Sequence, residues 1–325
     1  MMSKTSIKDI FSKEEIKALT KLSDLHGAWA VASTWAVVIM VFVTVALSWD
    51  YLAWWGNVLL CIVALIILAG RQLCFAILMH DAAHYSLFKT KWMNTHLTDW
   101  LCARPIWNHV GKYRPYHLKH HARTSQDDDP DLGLVKHFPI RRGSLWRKFL
   151  RDISGITGLK FLYGRVLMDM ELLEWTVSND IKPIPKAERS YFKLFQNLLK
   201  NSFGMLLTNS MMFIVLWWSG HPYVYLLWVL AYITPFPLFI RIRSMAEHAG
   251  LEQSQSAFTN TRTTRAGWIA RSCVAPIHVN FHIEHHLMAS VPHQHLPHMH
   301  KMLLDRGIVM EPPSYIEVIH KLTQK

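Results

Sequence analysis

Four cysteines in 325 residues are few, and they lie scattered at positions 61, 74, 102 and 273 with no C-x-x-C pair. That excludes a built-in iron–sulfur cluster, which takes four closely spaced thiolates. It leaves core or membrane thiols in a reducing compartment as their simplest use. No flavin or dinucleotide fingerprint is present either, so the chain carries no electron relay of that kind. Charge is missing from four long stretches: Ala28 to Ala46, Leu52 to Ala69, Phe203 to Trp218 and Pro222 to Ile240. Buried helices of a large soluble core would carry a charge somewhere along such runs. A metal-ion transporter would need His, Asp or Glu inside them, and a b-type cytochrome would need paired histidines there. The net charge of +12 follows largely from where the basic residues fall relative to these runs, and is not read as a nucleic-acid surface.

What is present fits a bilayer. Each apolar run has about the ~20 residues that a membrane span demands. The short turns Trp49-Asp50-Tyr51 and Ser219-Gly220-His221 join them into two hairpins, flanked by Trp54, Trp55, Trp217, Trp218 and Tyr223 as an interfacial belt would be. Of the 35 Lys and Arg, five precede Gly27, twenty lie between Phe88 and Asn201, and nine run from Arg241 onward. Neither turn holds one. By the positive-inside rule both termini and the middle segment are therefore cytoplasmic. The first residues do not read as a signal peptide. Ser12-Lys-Glu-Glu15 forms a capping box, and Ile16, Leu19, Leu22 and Leu25 an apolar stripe, so a surface helix is expected before the first span.

Against this background twenty histidines stand out, and eight fall into three clusters. These are His80-Asp81-Ala-Ala-His84, His117-Leu-Lys-His120-His121 and His282-Ile-Glu284-His285-His286. On a helix, residues three or four apart share a face, so each cluster aims two or three imidazoles at one point. A ninth, His248, stands alone past the fourth run. Together they supply about as many imidazoles as two metal ions need. The halves also match loosely: hairpin, histidine just past the second span, then an H-x-x-H-H cluster. If the second helix of the first hairpin continues past the bilayer, His80 sits roughly 14 Å beyond Arg71. The expected fold is thus all-α, a single domain over 1–325. It comprises an N-terminal helix (1–27), a first hairpin with the first cluster (28–84) and a cytoplasmic cap segment with the second (85–202). A second hairpin with the lone histidine (203–248) and a cap segment with the third cluster (249–325) complete it.

Carboxylates are sparse near the clusters, which distinguishes this set from soluble carboxylate-bridged di-iron sites and favours redox-active iron over a closed structural zinc. Asp81 and Glu284 read as acceptors for imidazole N–H groups, Glu284 equally as a solvated acid. Asp129 and Asp131, in Asp127-Asp-Asp-Pro-Asp131, are either turn residues or support for the histidines. His96, His109 and His278 read as structural. The segment His293 to His300, interrupted by Pro292 and Pro297, reads as solvated or packing. Arg241, Arg243, Arg262 and Arg265 would anchor the membrane surface, or hold an anionic head group or a donor. A zinc hydrolase could be argued from His80-Asp81-x-x-His84, but it would leave six clustered histidines idle.

The three boxes, their order, the two hairpins and the lone histidine resemble the membrane-bound fatty acid desaturase family, with its related hydroxylases and ketolases, over residues 28 to 305. The resemblance implies two non-haem iron ions, molecular oxygen as co-substrate and abstraction of hydrogen from an unactivated C–H bond. By motif match the iron ligands would be His80, His84, His117, His120, His121, His248, His282, His285 and His286. Three intervening residues in the first box resemble acyl-lipid desaturases and hydroxylases more than acyl-CoA enzymes. His282 stands where front-end desaturases carry Gln, and Ser244 where acyl-CoA desaturases place an iron-water Asn. No His-Pro-Gly-Gly segment of a fused haem domain is present. A fatty acyl chain, acyl-lipid in type, is the expected substrate. A hydroxylase or monooxygenase of the same superfamily, acting on a lipid, alkane, carotenoid or secondary metabolite, is the alternative. The expected partners are the lipid membrane and a separate ferredoxin or cytochrome b5 type donor with its reductase. The expected location is the inner membrane in a bacterium or the endoplasmic reticulum in a eukaryote.

The charge asymmetry has a direct test. Tags at either terminus and within residues 141–160 should react only from the cytoplasmic side, and a probe at Gly220 only from the opposite side. A middle segment reachable from outside would overturn the orientation.

Overall fold

The computed structural model describes residues 7–185 and 190–323. Helix dominates, and among the described residues the only β-pairing is two isolated bridges, Leu173–Pro183 and Arg265–Ser314. The N-terminal helix α1 (Lys13–Leu19) begins with both halves of the Ser12–Glu15 capping box in place. It does not lie free on a surface. Leu19, 2% exposed, packs with Met288, Leu296, Met299 and Leu303 near the other end of the chain.

Four helices are long and apolar enough to cross a membrane. They are α2 (Asp24–Ser48), α3 (Trp54–Ala83), α7 (Tyr191–Trp218) and a fourth made of two pieces, α8 (Val224–Ile233) and α9 (Pro235–His248). The sequence suggested one continuous fourth span. The break falls at Thr234 (φ −112°, ψ −83°), because Pro235 and Pro237 lack the N–H a continuous helix needs and their rings crowd the preceding turn. Helices α2 and α3 run antiparallel, with Asn57 bonded to the Trp49 carbonyl (2.9 Å) near the turn and Thr34 against Cys74 (3.3 Å) further along. The Tyr225 hydroxyl donates to Asn209 (3.0 Å) across the second pair. The rings of Trp49 and Tyr223 meet at 5.3 Å, tilted by 47°, so both turns lie at one end.

Helix α3 lies at the centre, with Leu68, Leu73, Phe75, Ile77 and Leu78 fully buried. Other long helices turn apolar side chains outward: Met40 and Leu47 on α2, Met211 and Val215 on α7. Such a continuous apolar exterior belongs in lipid rather than water. At the end opposite the turns gather α4 (Val110–Arg123), α5 (Arg142–Ile153), α6 (Ile156–Asp169), α10 (His282–Leu287), α11 (Leu296–Asp305) and α12 (Tyr315–Leu322). Asp99 fixes the start of α4 by accepting from Val110 N and Arg104 Nε (both 2.8 Å), and His109 caps the same helix by accepting from Gly111 N. Pro292 and Pro297 start the turn and helix that follow them rather than interrupting structure.

Three arginines read as membrane anchors have other work. Arg241 makes a bidentate pair with the fully buried Asp152 (2.5 and 2.9 Å), and Arg243 pairs with Glu247 (2.7 Å). Arg262 reaches the Ala246 and Ala249 carbonyls that end α9. Only Arg265 of the four is exposed, 3.9 Å from Glu317.

Helix α6 crosses the break in the fourth span through Gly158, where a Cβ would stand 2.2 Å from the Ile233 carbonyl oxygen. Gly158→Val should therefore cost about 2 kcal/mol or more by forcing that crossing apart. Gly143→Ala, in open space on α5, should leave stability unchanged or raise it slightly. Thermal unfolding of the two proteins in detergent compares them, and equal Tm values would refute the contact.

Candidate metal centre

Helix periodicity delivers the clustered histidines to one place. Helix α3 overruns its apolar stretch and carries His80 near its end, with His84 as its cap. Helix α4 presents His117, His120 and His121, α9 ends at His248, and α10 presents His282, His285 and His286. All nine converge. His80, His84, His117, His121 and His285 offer nitrogens mutually within 4.8 Å, as do His120, His248 and His286, while His248 and His282 form a further group with Glu247.

The nitrogens meet as ligands of one ion would. His117 and His121 approach through Nε2 at 3.1 Å, His121 and His285 at 3.0 Å, and His248 and His282 at 2.8 Å. Two ligands each ~2.1 Å from one ion and at a right angle lie about 3.0 Å apart. Outward nitrogens are meanwhile held by oxygens. Nδ1 of His80 donates to Asp81 (2.9 Å), that of His120 to Asp129 (2.8 Å), and that of His248 to the Asn260 carbonyl (3.3 Å). His286 Nδ1 lies 3.3 Å from the Thr124 hydroxyl. The inward Nε2 atoms of His80, His84 and His286 are buried without a partner. Outward support with orphaned inward nitrogens is the pattern a metal completes.

Protonation follows from the same burial. Desolvation first, then neighbouring imidazoles, holds His117, His121, His282, His285 and His286 well below the ordinary histidine value, and His84 at about 3. His120 goes the other way. Burial opposes its charge, but the hydrogen bond to Asp129 and the field of Asp131 outweigh it. Neutral imidazole is the form that binds a metal.

The acids divide. Asp129 is both turn and support, since it also accepts from Ser125 N (2.8 Å) and Asp131 N (2.9 Å). Asp131 accepts from the Tyr116 hydroxyl (2.7 Å) and stands 3.9 Å from His120. Glu284 is neither a solvated acid nor the partner of a clustered imidazole. It is fully buried, bonded to Thr263 and His300 (both 2.6 Å). Two residues from His282 on a helix is ~200° of rotation, which turns it to the opposite face. His300 and His293 are buried rather than solvated, and His293 Nδ1 lies 3.3 Å from the second oxygen of Asp81. The sequence reading passed over Glu247, a buried carboxylate 3.7 Å from His282 Nδ1. Its one signal was its place beside His248.

A cavity of about 380 Å³ reaches this cluster. His117, His120, His248 and His282 form one end, and Ser244, one turn before His248, lines it too. Its walls include Leu73, Ala76, Phe161, Phe236 and Ile240.

Four helices apolar enough to cross a membrane, a histidine cluster able to hold metal and a cavity beside it fit the class of membrane proteins with a histidine-rich metal centre. The family profile described as fatty acid desaturase matches residues 52–317, so the chain belongs to that family. It is also similar to dihydrorhizobitoxine desaturase of Bradyrhizobium elkanii, 24% identical over 322 residues, covering 95% of this chain and 82% of that one.

The depressed histidines set a pH dependence for the metal-free protein. Unfolded, these imidazoles take protons near pH 6.5; folded, they refuse them. Their contribution to stability is complete above that value and is lost as pH falls from 6.5 towards 3. His120 acts oppositely, lost as pH rises through its raised value, but six groups outweigh one. Between pH 7.5 and 5 the Tm of the metal-free protein should fall by at least about 5 °C. A Tm that rose on acidification would contradict the buried, neutral cluster.

Proposed function

We propose that the protein is an oxygen-dependent desaturase whose nine clustered histidines hold two non-haem irons. The observation that carries this reading is the convergence of nine imidazoles, the inward nitrogens of His80, His84 and His286 unpartnered, at a cavity with apolar walls on one stretch. Asp81 and Asp129 orient His80 and His120, and the Glu247 carboxylate stands 3.7 Å from His282 Nδ1. Bound iron would supply oxygen activation and removal of hydrogen from an unactivated C–H bond. In balance, a CH₂–CH₂ unit, O₂, two electrons and two protons give CH=CH and two waters. The residues of the chain position the C–H bond, exclude bulk water and, His120 apart, keep the imidazoles of the second and third boxes unprotonated.

The two electrons come from a separate donor of ferredoxin or cytochrome b5 type. The basic bias of the segments outside the spans supports docking of an acidic one on a cytoplasmic cap. The apolar walls Leu73, Ala76, Phe236 and Ile240 favour a fatty acyl chain, of acyl-lipid type by the spacing of the first box. The Bradyrhizobium relative is named for dihydrorhizobitoxine, so family membership carries the reaction more firmly than the substrate. Hydroxylation of a lipid or secondary metabolite shares the first hydrogen abstraction and is the second reading.

Purified protein should hold about two irons per chain. His120→Ala and His285→Ala should each lower turnover more than about 100-fold while leaving membrane insertion intact. Lipid analysis of a host with and without the gene separates desaturated from hydroxylated product. Full activity with stoichiometric zinc, or an active His285→Ala protein, would overturn the proposal.

A further inference from the structure

The cavity carries a surplus of positive charge away from the histidines. One face of α6 forms its wall, with Thr157, Lys160, Phe161, Gly164, Arg165 and Met168 at three- and four-residue intervals. Arg151, from the last turn of α5, joins them. Across from these run Tyr232, Phe236, Ile240, Ser244 and His248, one every four residues along the fourth span. The cavity thus follows that span for at most ~24 Å at 1.5 Å per residue. Arg165 stands at the end far from His248, against the Tyr232 hydroxyl and over the ring of Trp175 at 5.3 Å.

The other charges lining the cavity already have partners: Arg241 with Asp152, Arg243 with Glu247, Asp129 with His120, and Asp131 with Tyr116. Arg151, Lys160 and Arg165 have no ion pair among the described residues. Arg151 Nε and Arg165 Nη1 are moreover shielded from water with no acceptor. A desolvated guanidinium N–H left unpaired is costly, and native proteins seldom keep one without a use. Three cations on α5 and α6 that line one cavity, two with unpaired donors, match an oxygen anion, because the guanidinium fork pairs with carboxylate or phosphate.

We propose that Arg151, Lys160 and Arg165 bind the anionic group of the substrate, a carboxylate or phosphate, while its hydrocarbon part extends along Phe161, Phe236 and Ile240 to the histidines. The anion then acts as a ruler, fixing which carbon reaches the far end of the cavity. The word substrate rests on the desaturase reading above; the anion site itself needs no metal.

Binding to the full-length, metal-free protein tests this, with hexadecanoate and hexadecanol as probes in neutral detergent and phosphatidylglycerol nanodiscs as a third arm. Hexadecanoate should bind more than about tenfold tighter than hexadecanol. Arg165→Gln and the exposed Lys160→Gln should each weaken hexadecanoate about tenfold and leave hexadecanol unchanged, and Arg165→Lys should keep most of the preference. Displacement of hexadecanoate by phosphatidylglycerol identifies a lipid head group as the source of the anion. Retention of hexadecanoate identifies a free carboxylate. Equal binding of acid and alcohol by the unaltered protein, or equal loss of both probes in the Gln variants, would overturn the proposal. Because no iron takes part, that failure would leave the desaturase reading standing, and zinc in place of iron would leave the anion preference measurable.

Discussion

Taking an imidazole out of water lowers its hold on a proton, and each nearby imidazole lowers it further. The centre of this molecule depends on that effect applied repeatedly. Nine histidines from α3, α4, α9 and α10 face one another closely enough that few could be charged at once. At the edge Asp81 and Asp129 hold the outward nitrogens of His80 and His120, and Glu247 stands beside His248 and His282. A richer ring of acids would draw protons into the cluster, as Asp129 and Asp131 do at His120.

Such crowding needs a rigid frame, and the frame is the long α3. Its second half, from Leu68 onward, is packed inside the bundle, and it carries His80 and His84 to the end of the bundle opposite the turns. The bundle is tied to it by few polar bonds, such as Gln72 to the Trp228 carbonyl (2.8 Å). The break at Thr234 has the opposite effect. It ends one helix and starts another, so that α6 can cross at Gly158 and the cavity can run beside α9 to the histidines. The bidentate Arg241–Asp152 pair locks that crossing. Removing one partner from so buried a pair typically costs about 3–5 kcal/mol, because the other is left unpaired.

Charge outside the centre has two uses that composition alone merges. Arg241, Arg243 and Arg262 are consumed by internal partners. Arg151, Lys160 and Arg165 face the cavity instead. Helices α5 and α6 also expose Trp146, Leu150, Ile156 and Leu159, apolar side chains beside those cations, as a helix pair at a membrane surface would. The N-terminal α1 and the late helix α11 pack together, with the Leu19 carbonyl bonded to His295 Nδ1 (2.8 Å) at the start of α11.

Periodicity and hydropathy are local properties, so the sequence by itself determined the helical class, the four apolar spans, the capping box at Ser12 and the facing of imidazoles within each box. Those features depend on neighbours three or four residues away. The tertiary structure decided what depends on residues far apart. Sequence spacing could not tell that His121 meets His285 across 164 positions, that Glu284 turns away to His300, or that Glu247 stands beside His282. Nor could it show which arginines are paired, since pairing is a matter of distance and burial rather than composition. The break at Thr234 lay between the two: Pro235 and Pro237 were visible in the sequence, but only packing against Gly158 gave the break its purpose.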